Sequence, residues 1–220
     1  MIELVVFDMA GTTLYDGDAV SRCFRAALAT LGVNPEQQAI NDVMGLPKPL
    51  AIRTLCTAAG RTLTDAELNA AHADFVARMS SYYRDDPAVR EIPGAAEVFA
   101  ELRRRGIKVA LNTGFNRAIV DVILGRLGWF DKIDASIASD EAARGRPFPD
   151  MIIALMGRLG IADARKVAKV GDTPSDLDEG LSAGCGLVVG VTTGSFTRAQ
   201  LEANAKATIV DSAVDVIGLL

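Results

Sequence analysis

The sequence predicts an α/β fold, a doubly wound parallel sheet carrying an inserted helical domain, on three observations. Short apolar runs alternate with helical patterns along most of the chain, as strands and crossover helices do. Those runs are rich in Val, Ile, Leu and Ala with no polar alternation, which suits strands buried on both faces. The interval 15–90 breaks the rhythm: it holds amphipathic segments and no convincing strand.

Taken in order, strands are expected over 3–8, 108–113, 135–138, 167–171, 187–191 and 208–210. Helices are expected over 94–105, 117–127, 149–159, 175–183, 198–204 and 212–219. Gly106, Gly160 and Gly184 each follow a helical pattern and suit the left-handed position that ends a helix. Within the interval the amphipathic segments run over 19–31, 35–44, 49–59 and 65–83. The expected division is therefore an α/β core of 1–14 and 91–220, with a helical cap domain of 15–90. The turn-rich stretches at 15–18 and 85–87 are the expected hinges.

The chain has 220 residues, half of them apolar and 23% charged, with a net charge of -5. That balance argues against nucleic acid or an anionic membrane as partner. No apolar run reaches membrane-spanning length, and the N-terminus enters a strand without a basic leader. Cys23, Cys56 and Cys185 are odd in number and scattered, which suits buried thiols in a reducing compartment. These features set the expectation of a cytoplasmic protein. The apolar segment 19–31 suits either the cap's own core or a homodimer contact.

In an open α/β sheet, ligands bind beyond the carboxyl ends of the strands. Those ends carry Asp8, then Thr113-Gly114, then Gly171-Asp172, with Asp176 one turn further on. The loop Gly145-Arg146-Pro147-Phe148-Pro149 lies between them. Each residue alone has a plainer use: Asp8 as a turn cap, Asp172 or Thr173 as a helix cap, Arg146 as a surface charge. Their joint occurrence at strand ends favours phosphoryl transfer. Asp8 suits a carboxylate nucleophile, and Asp8, Asp172 and the Ala10 carbonyl suit Mg²⁺. Thr113 and Arg146 suit a phosphoryl oxygen, and Asp176 suits orienting Arg146 or a metal-bound water.

The segments FDMAGTT, LNTG, GRPFP and KVGDTPSD resemble, in order, the four motifs of the haloacid dehalogenase-like hydrolases. That resemblance implies a Rossmann-like core, aspartyl-enzyme chemistry with Mg²⁺, and a mobile cap where the helical insert lies. Position 10 is then of interest, because a phosphate ester leaves as an alkoxide that wants a proton from an acid there, and the residue is Ala10. A phosphonate leaves as a carbanion and needs an electron sink, which the protonated imine of a lysine provides. The cap segment MGLPKPLAIR offers Lys48 between two prolines, with a helix expected to start at Pro49. The plain alternative for Lys48 is a solvent-facing lysine in a turn.

Ala10 together with Met44, Gly45, Leu46 and Lys48 resembles the phosphonoacetaldehyde hydrolases. The resemblance implies hydrolysis of a P–C bond through Asp8 and a Schiff base on Lys48, with Thr12, Met44, Gly45 and Gly114 around the substrate. Where that family has a histidine three residues after the lysine, this chain has Ala51. Met9 stands for a tryptophan and Phe115 for a tyrosine, and His72, the only histidine, falls in a helical part of the cap. Two other readings remain open at this point. One is a phosphatase of small monoesters of the phosphoglycolate or sugar-phosphate type; the other is a non-catalytic binding module.

Overall fold

Four consecutive apolar residues, LVVF, form β1 (Leu4–Phe7) in the computed structural model, which describes residues 1–204 and 206–220. Five further strands are β2 (Lys108–Thr113), β3 (Ala135–Ala138), β4 (Val167–Gly171), β5 (Leu187–Val191) and β6 (Thr208–Val210). All pair in parallel in the order β3-β2-β1-β4-β5-β6. Side chains alternate across the sheet. Val5 and Phe7 enter a large core with Val109, Leu111, Phe99 and Trp129. Leu4 and Val6 enter a second core with Ile137, Met151, Ile152 and Leu155.

The chain order reverses on the two sides of β1, so β1 and β4 are neighbours at the switch point where such sheets bind ligands. Their register sets Phe7 beside Val170 on one flank and Leu111 on the other. The residues that follow these strands therefore emerge together.

Between β1 and β2 lie α1 (Ala19–Ala29), α2 (Gln37–Asp42), α3 (Lys48–Ala58), α4 (Asp65–Asp85) and α5 (Ala95–Arg104). α4 packs on α1 and on α3, with Phe24 and Phe75 in ring contact at 4.7 Å. It opens on a reciprocal cap, in which Thr64 accepts from the Glu67 amide and Glu67 accepts from the Thr64 amide. The chain enters and leaves this helical stretch side by side. Ile92 N–H donates to Thr13 O at 2.8 Å and Tyr15 N–H to Arg90 O at 3.0 Å. The crossing thus lies at 13–15 and 90–92, next to the turns expected as hinges.

The remaining helices are α6 (Arg117–Leu127), α7 (Asp150–Leu159), α8 (Pro174–Ser182) and α9 (Arg198–Glu202). Several bounds shift by one or two residues, and three elements differ for a visible reason. α2 is shorter than 35–44, because Glu36 is still extended and the chain turns at Val43 before Gly45 takes a left-handed φ of 81°. α3 starts one residue early, at Lys48. The last run, Ala213–Leu219, is a 3₁₀ helix, opened by the Ser212 side chain accepting from Val214 N–H. Among the described residues no helix is long and apolar enough to cross a membrane. Cys23 and Cys56 are buried and Cys185 partly so, all as free thiols.

Candidate active site

A strand that ends in Asp8 beside a strand that ends in Gly171-Asp172 brings two carboxylates to one sheet edge. Asp8, Asp172 and Asp176 are buried there, each offering an oxygen within 4.8 Å of the others. Gly11, at φ 93°, and Gly194 pack directly on the Asp172 carboxylate, where a Cβ would lie 2.5 and 1.8 Å from its Oδ2. Thr12 donates to Asp172 Oδ1 at 3.0 Å, and Thr193, after β5, donates to Gly11 O at 2.6 Å.

Arg146 reaches under Asp8 and is wholly buried. Its Nη1 meets Asp8 Oδ1 at 2.7 Å and Asp176 Oδ1 at 2.9 Å. Nε donates to Glu179 Oε2 at 3.0 Å, and Nη2 meets the Asn112 carbonyl and side-chain oxygens at 3.0 and 2.7 Å. The fork makes four hydrogen bonds, to Asp8, to Glu179 and twice to Asn112, while the Asp176 contact is an ion pair without a hydrogen bond. Arg146 holds the Asp8 carboxylate in place, with most of its donors engaged by the protein. Asp176 Oδ1, expected to orient Arg146 or a metal-bound water, is the ion-pair partner of Arg146 Nη1.

Three members of this network were not singled out from sequence. Asn112 donates to Glu179, and Lys169 meets Asn112 Oδ1 at 2.6 Å, Asp176 Oδ1 at 2.9 Å and Glu179 Oε2 at 3.3 Å. Lys169 did leave a signal: it interrupts the buried strand VAKVG, where a charge must find partners. Asp176 also closes a reciprocal cap with Thr173 at the start of α8.

Burial pushes Asp8 up to about 6 despite the opposing pull of Arg146. Burial, with Asp8 and Asp176 adding to it, drives Asp172 well above the carboxylate range. Asp176 goes the other way: burial works against its charge, but Arg146 and Lys169 outweigh it and hold the carboxyl low. Four buried carboxylates, at Asp8, Asp172, Asp176 and Glu179, thus gather at this edge around Arg146 and Lys169, with Lys48 a third buried cation across the cavity. This excess of carboxylate suits a divalent cation. Asp8 and Asp172 each have one oxygen free of protein donors among the described residues. An all-oxygen donor set of this kind suits Mg²⁺.

Across a cavity of about 450 Å³ stands Lys48, with Met44, Gly45, Thr113 and Gly114 also on its wall. Lys48 is 4% exposed, not a solvent-facing turn residue. Its Nζ lies 5.3 Å from the centre of the Phe24 ring and 5.0 Å from that of Phe115, without an ion-pair partner among the described residues. Burial lowers its pKa to about 8, although Asp8 and Asp16 pull upward. Thr113 Oγ accepts from Phe115 N–H at 3.2 Å, which leaves its own proton free.

The turn that carries Lys48 is pressed onto the core at three glycines. A Cβ at Gly114 would meet Leu46 O at 2.5 Å, one at Gly145 would meet Pro47 Cγ at 2.3 Å, and one at Gly45 would meet Thr173 Oγ1 at 2.5 Å. Met44, Gly45 and Gly114 therefore line the same cavity as Asp8, whereas Thr12, expected beside the substrate, is buried off that wall, where its hydroxyl donates to Asp172. Ala51 is buried in α3, and His72 does not line the cavity.

A family model described as haloacid dehalogenase-like hydrolase matches residues 2–184. Phosphonoacetaldehyde hydrolase from Bordetella pertussis is 32% identical, over 91% of this chain and 76% of its own. That from Bacillus cereus strain B4264 is 30% identical, over 91% and 81%. Among solved structures, a phosphonoacetaldehyde hydrolase-like protein from Oleispira antarctica aligns with a TM-score of 0.85 at 23% identity, covering 99% of this chain and 91% of that one. A hydrolase from Pseudomonas syringae aligns with a TM-score of 0.87 at 20% identity, covering 98% and 96%.

Proposed function

We propose a reaction for this chain, which belongs to the haloacid dehalogenase-like hydrolases and to their phosphonoacetaldehyde hydrolase-like members: hydrolysis of the P–C bond of phosphonoacetaldehyde or a related small phosphonate. One observation carries the reading. A buried, unpaired lysine faces the nucleophile's cavity in a site that has Ala10 where a leaving-group acid would stand.

The 15–90 stretch acts as a cap domain over a core of 1–14 and 91–220, and the paired crossing at 13–15 and 90–92 supports that division. With a pKa of about 8, about a quarter of Lys48 is neutral at pH 7.5, against about 0.1% for an ordinary lysine. The neutral amine condenses with the substrate aldehyde, losing water to give a protonated imine. Asp8 then attacks phosphorus, and the P–C bond breaks. Its electron pair enters the imine, leaving an enamine on Lys48 and the phosphoryl group on Asp8. The enamine takes a proton on carbon and the resulting imine hydrolyses to acetaldehyde. Water releases phosphate from Asp8.

Mg²⁺, held by Asp8, Asp172 and the Ala10 carbonyl, would supply positive charge toward the phosphoryl oxygens when bound. Thr113 donates its free proton to one of those oxygens, and Arg146 with Asp176 keeps Asp8 aimed. The phenyl rings of Phe24 and Phe115 keep water from the amine.

The test is a substrate panel with borohydride. Phosphate release from phosphonoacetaldehyde, with a two-carbon adduct trapped on Lys48, is expected. Release from p-nitrophenyl phosphate and sugar phosphates alone, without adduct, would give the site to phosphomonoester hydrolysis.

A further inference from the structure

Lys48 is one of two titratable groups that the site's nucleophile and metal chemistry leave unassigned in the interior of the cavity. The other is Asp16. Both line the same space, and no ion pair joins them. Asp16 sits in the turn before α1, partly buried, with its carboxylate at a long 3.4 Å from Val20 N–H. Tyr82 Oη and Ala19 N–H donate to its backbone oxygen at 3.3 and 3.0 Å, which fixes the residue without occupying its side chain.

The chemistry proposed above creates a need that no other wall residue meets. Condensing an amine with an aldehyde to a protonated imine consumes one proton net: the carbonyl oxygen must leave as water. Among the titratable wall residues, Asp8 attacks phosphorus, Asp172 is assigned to the metal, Arg146 is engaged by Asp8 and Glu179, and Tyr15 and Asp18 are exposed.

We infer that Asp16 is the acid–base catalyst of the imine steps. This rests on the imine reading itself. Nζ attacks the aldehyde carbon, a C–N bond forms, and the carbonyl π pair moves to oxygen. The proton shed by nitrogen passes to that oxygen. Asp16 in its acid form then gives a second proton to the same oxygen as the C–O bond breaks, and the nitrogen lone pair makes the C=N bond. The Asp16 carboxylate takes the proton back from the water that hydrolyses the final imine. Burial suits the residue to both duties by pushing it up to about 6, against the Val20 amide and Lys48. The charged and titratable groups around it are Lys48 from α3, Asp18, Arg22 and Cys23 beside and on α1, and Tyr82 and Tyr83 from α4.

The experiment compares wild type with Asp16→Asn and Asp16→Glu, each loaded with Mg²⁺. Rapid-quench borohydride trapping of the Lys48 adduct is run beside phosphate release from phosphonoacetaldehyde. Expected are an adduct in wild type, trapping and turnover slower by about 10²–10⁴-fold in Asp16→Asn, and substantial recovery in Asp16→Glu. Formate should partly restore Asp16→Ala, a rescue that a merely structural role would not give. Wild-type trapping rates in Asp16→Asn would overturn the assignment while leaving the imine intact. Absence of any adduct in wild type would overturn both.

Discussion

Replacing Lys48 with Met should stabilise the protein while removing P–C cleavage. An amine whose pKa falls from 10.5 to about 8 on folding binds fewer protons in the native state than in the unfolded one. Stability therefore rises with pH across that window. The penalty for burying the ammonium is complete below pH 8 and disappears as pH passes 10.5. A shift of about 2.5 corresponds to about 3 kcal/mol at pH 7, decaying to about 1 kcal/mol at pH 9.5. Methionine keeps the unbranched shape between the Phe24 and Phe115 rings and carries no charge. The assay is urea denaturation of both proteins at pH 7 and 9.5, reading the difference between them so that shared titrations cancel. Lys48→Met should gain on wild type at pH 7, with the advantage shrinking by about 2 kcal/mol at the higher pH. A pH-independent difference would refute the argument. It would show that the amine is compensated where it stands, and the basis for its nucleophilicity would go with it.

Asp8→Asn is expected to reduce phosphate release to background with every substrate, while circular dichroism remains native, since Arg146 keeps its contacts to Asp176, Glu179 and Asn112. Lys169→Met should lower stability by about 3–5 kcal/mol in urea titrations, because it leaves the buried carboxylates of Asp8, Asp176 and Glu179 to share Arg146 as their one ion-pair partner among the described residues. Gly114→Ala places a methyl 2.5 Å from Leu46 O and should cut kcat/KM by up to about 10²-fold through displacement of Lys48, with little change in urea midpoint. Ala10→Asp should lower P–C cleavage and raise hydrolysis of phosphomonoesters; equal rates on both substrates would place position 10 away from the leaving group.

The sheet and the edge that gathers the candidate site were legible because parallel strands announce themselves as apolar runs and their last residues are fixed by chain direction. Asp8, Thr113 and Asp172 needed nothing more. Lys169 and Asn112 were equally visible within such runs, and each demanded a buried partner. The partners were harder to see, since Glu179 reaches them only through the packing of α8 on β4. The surroundings of Lys48 were not legible at all. Phe24 comes from α1 and Phe115 from the loop after β2, so their meeting around one amine depends on how the helical insert docks. The bounds of α2 and α3 shifted for the same reason: the Gly45 turn and the docking of residues 45–47 decide where those helices stop and start.

The contacts at Gly45, Gly114 and Gly145 bear on portability. The turn bearing Lys48 is seated mainly by main-chain atoms and a proline ring against positions that have no side chain. Its register to Asp8 is consequently set by backbone shape rather than by rotamers, and a graft of the Met44–Lys48 segment onto another scaffold would inherit the amine without its alignment. Transplanting the function would mean moving a mould as well as a residue: the recipient core needs a glycine under Leu46 and another under Pro47 before any lysine there can face the nucleophile.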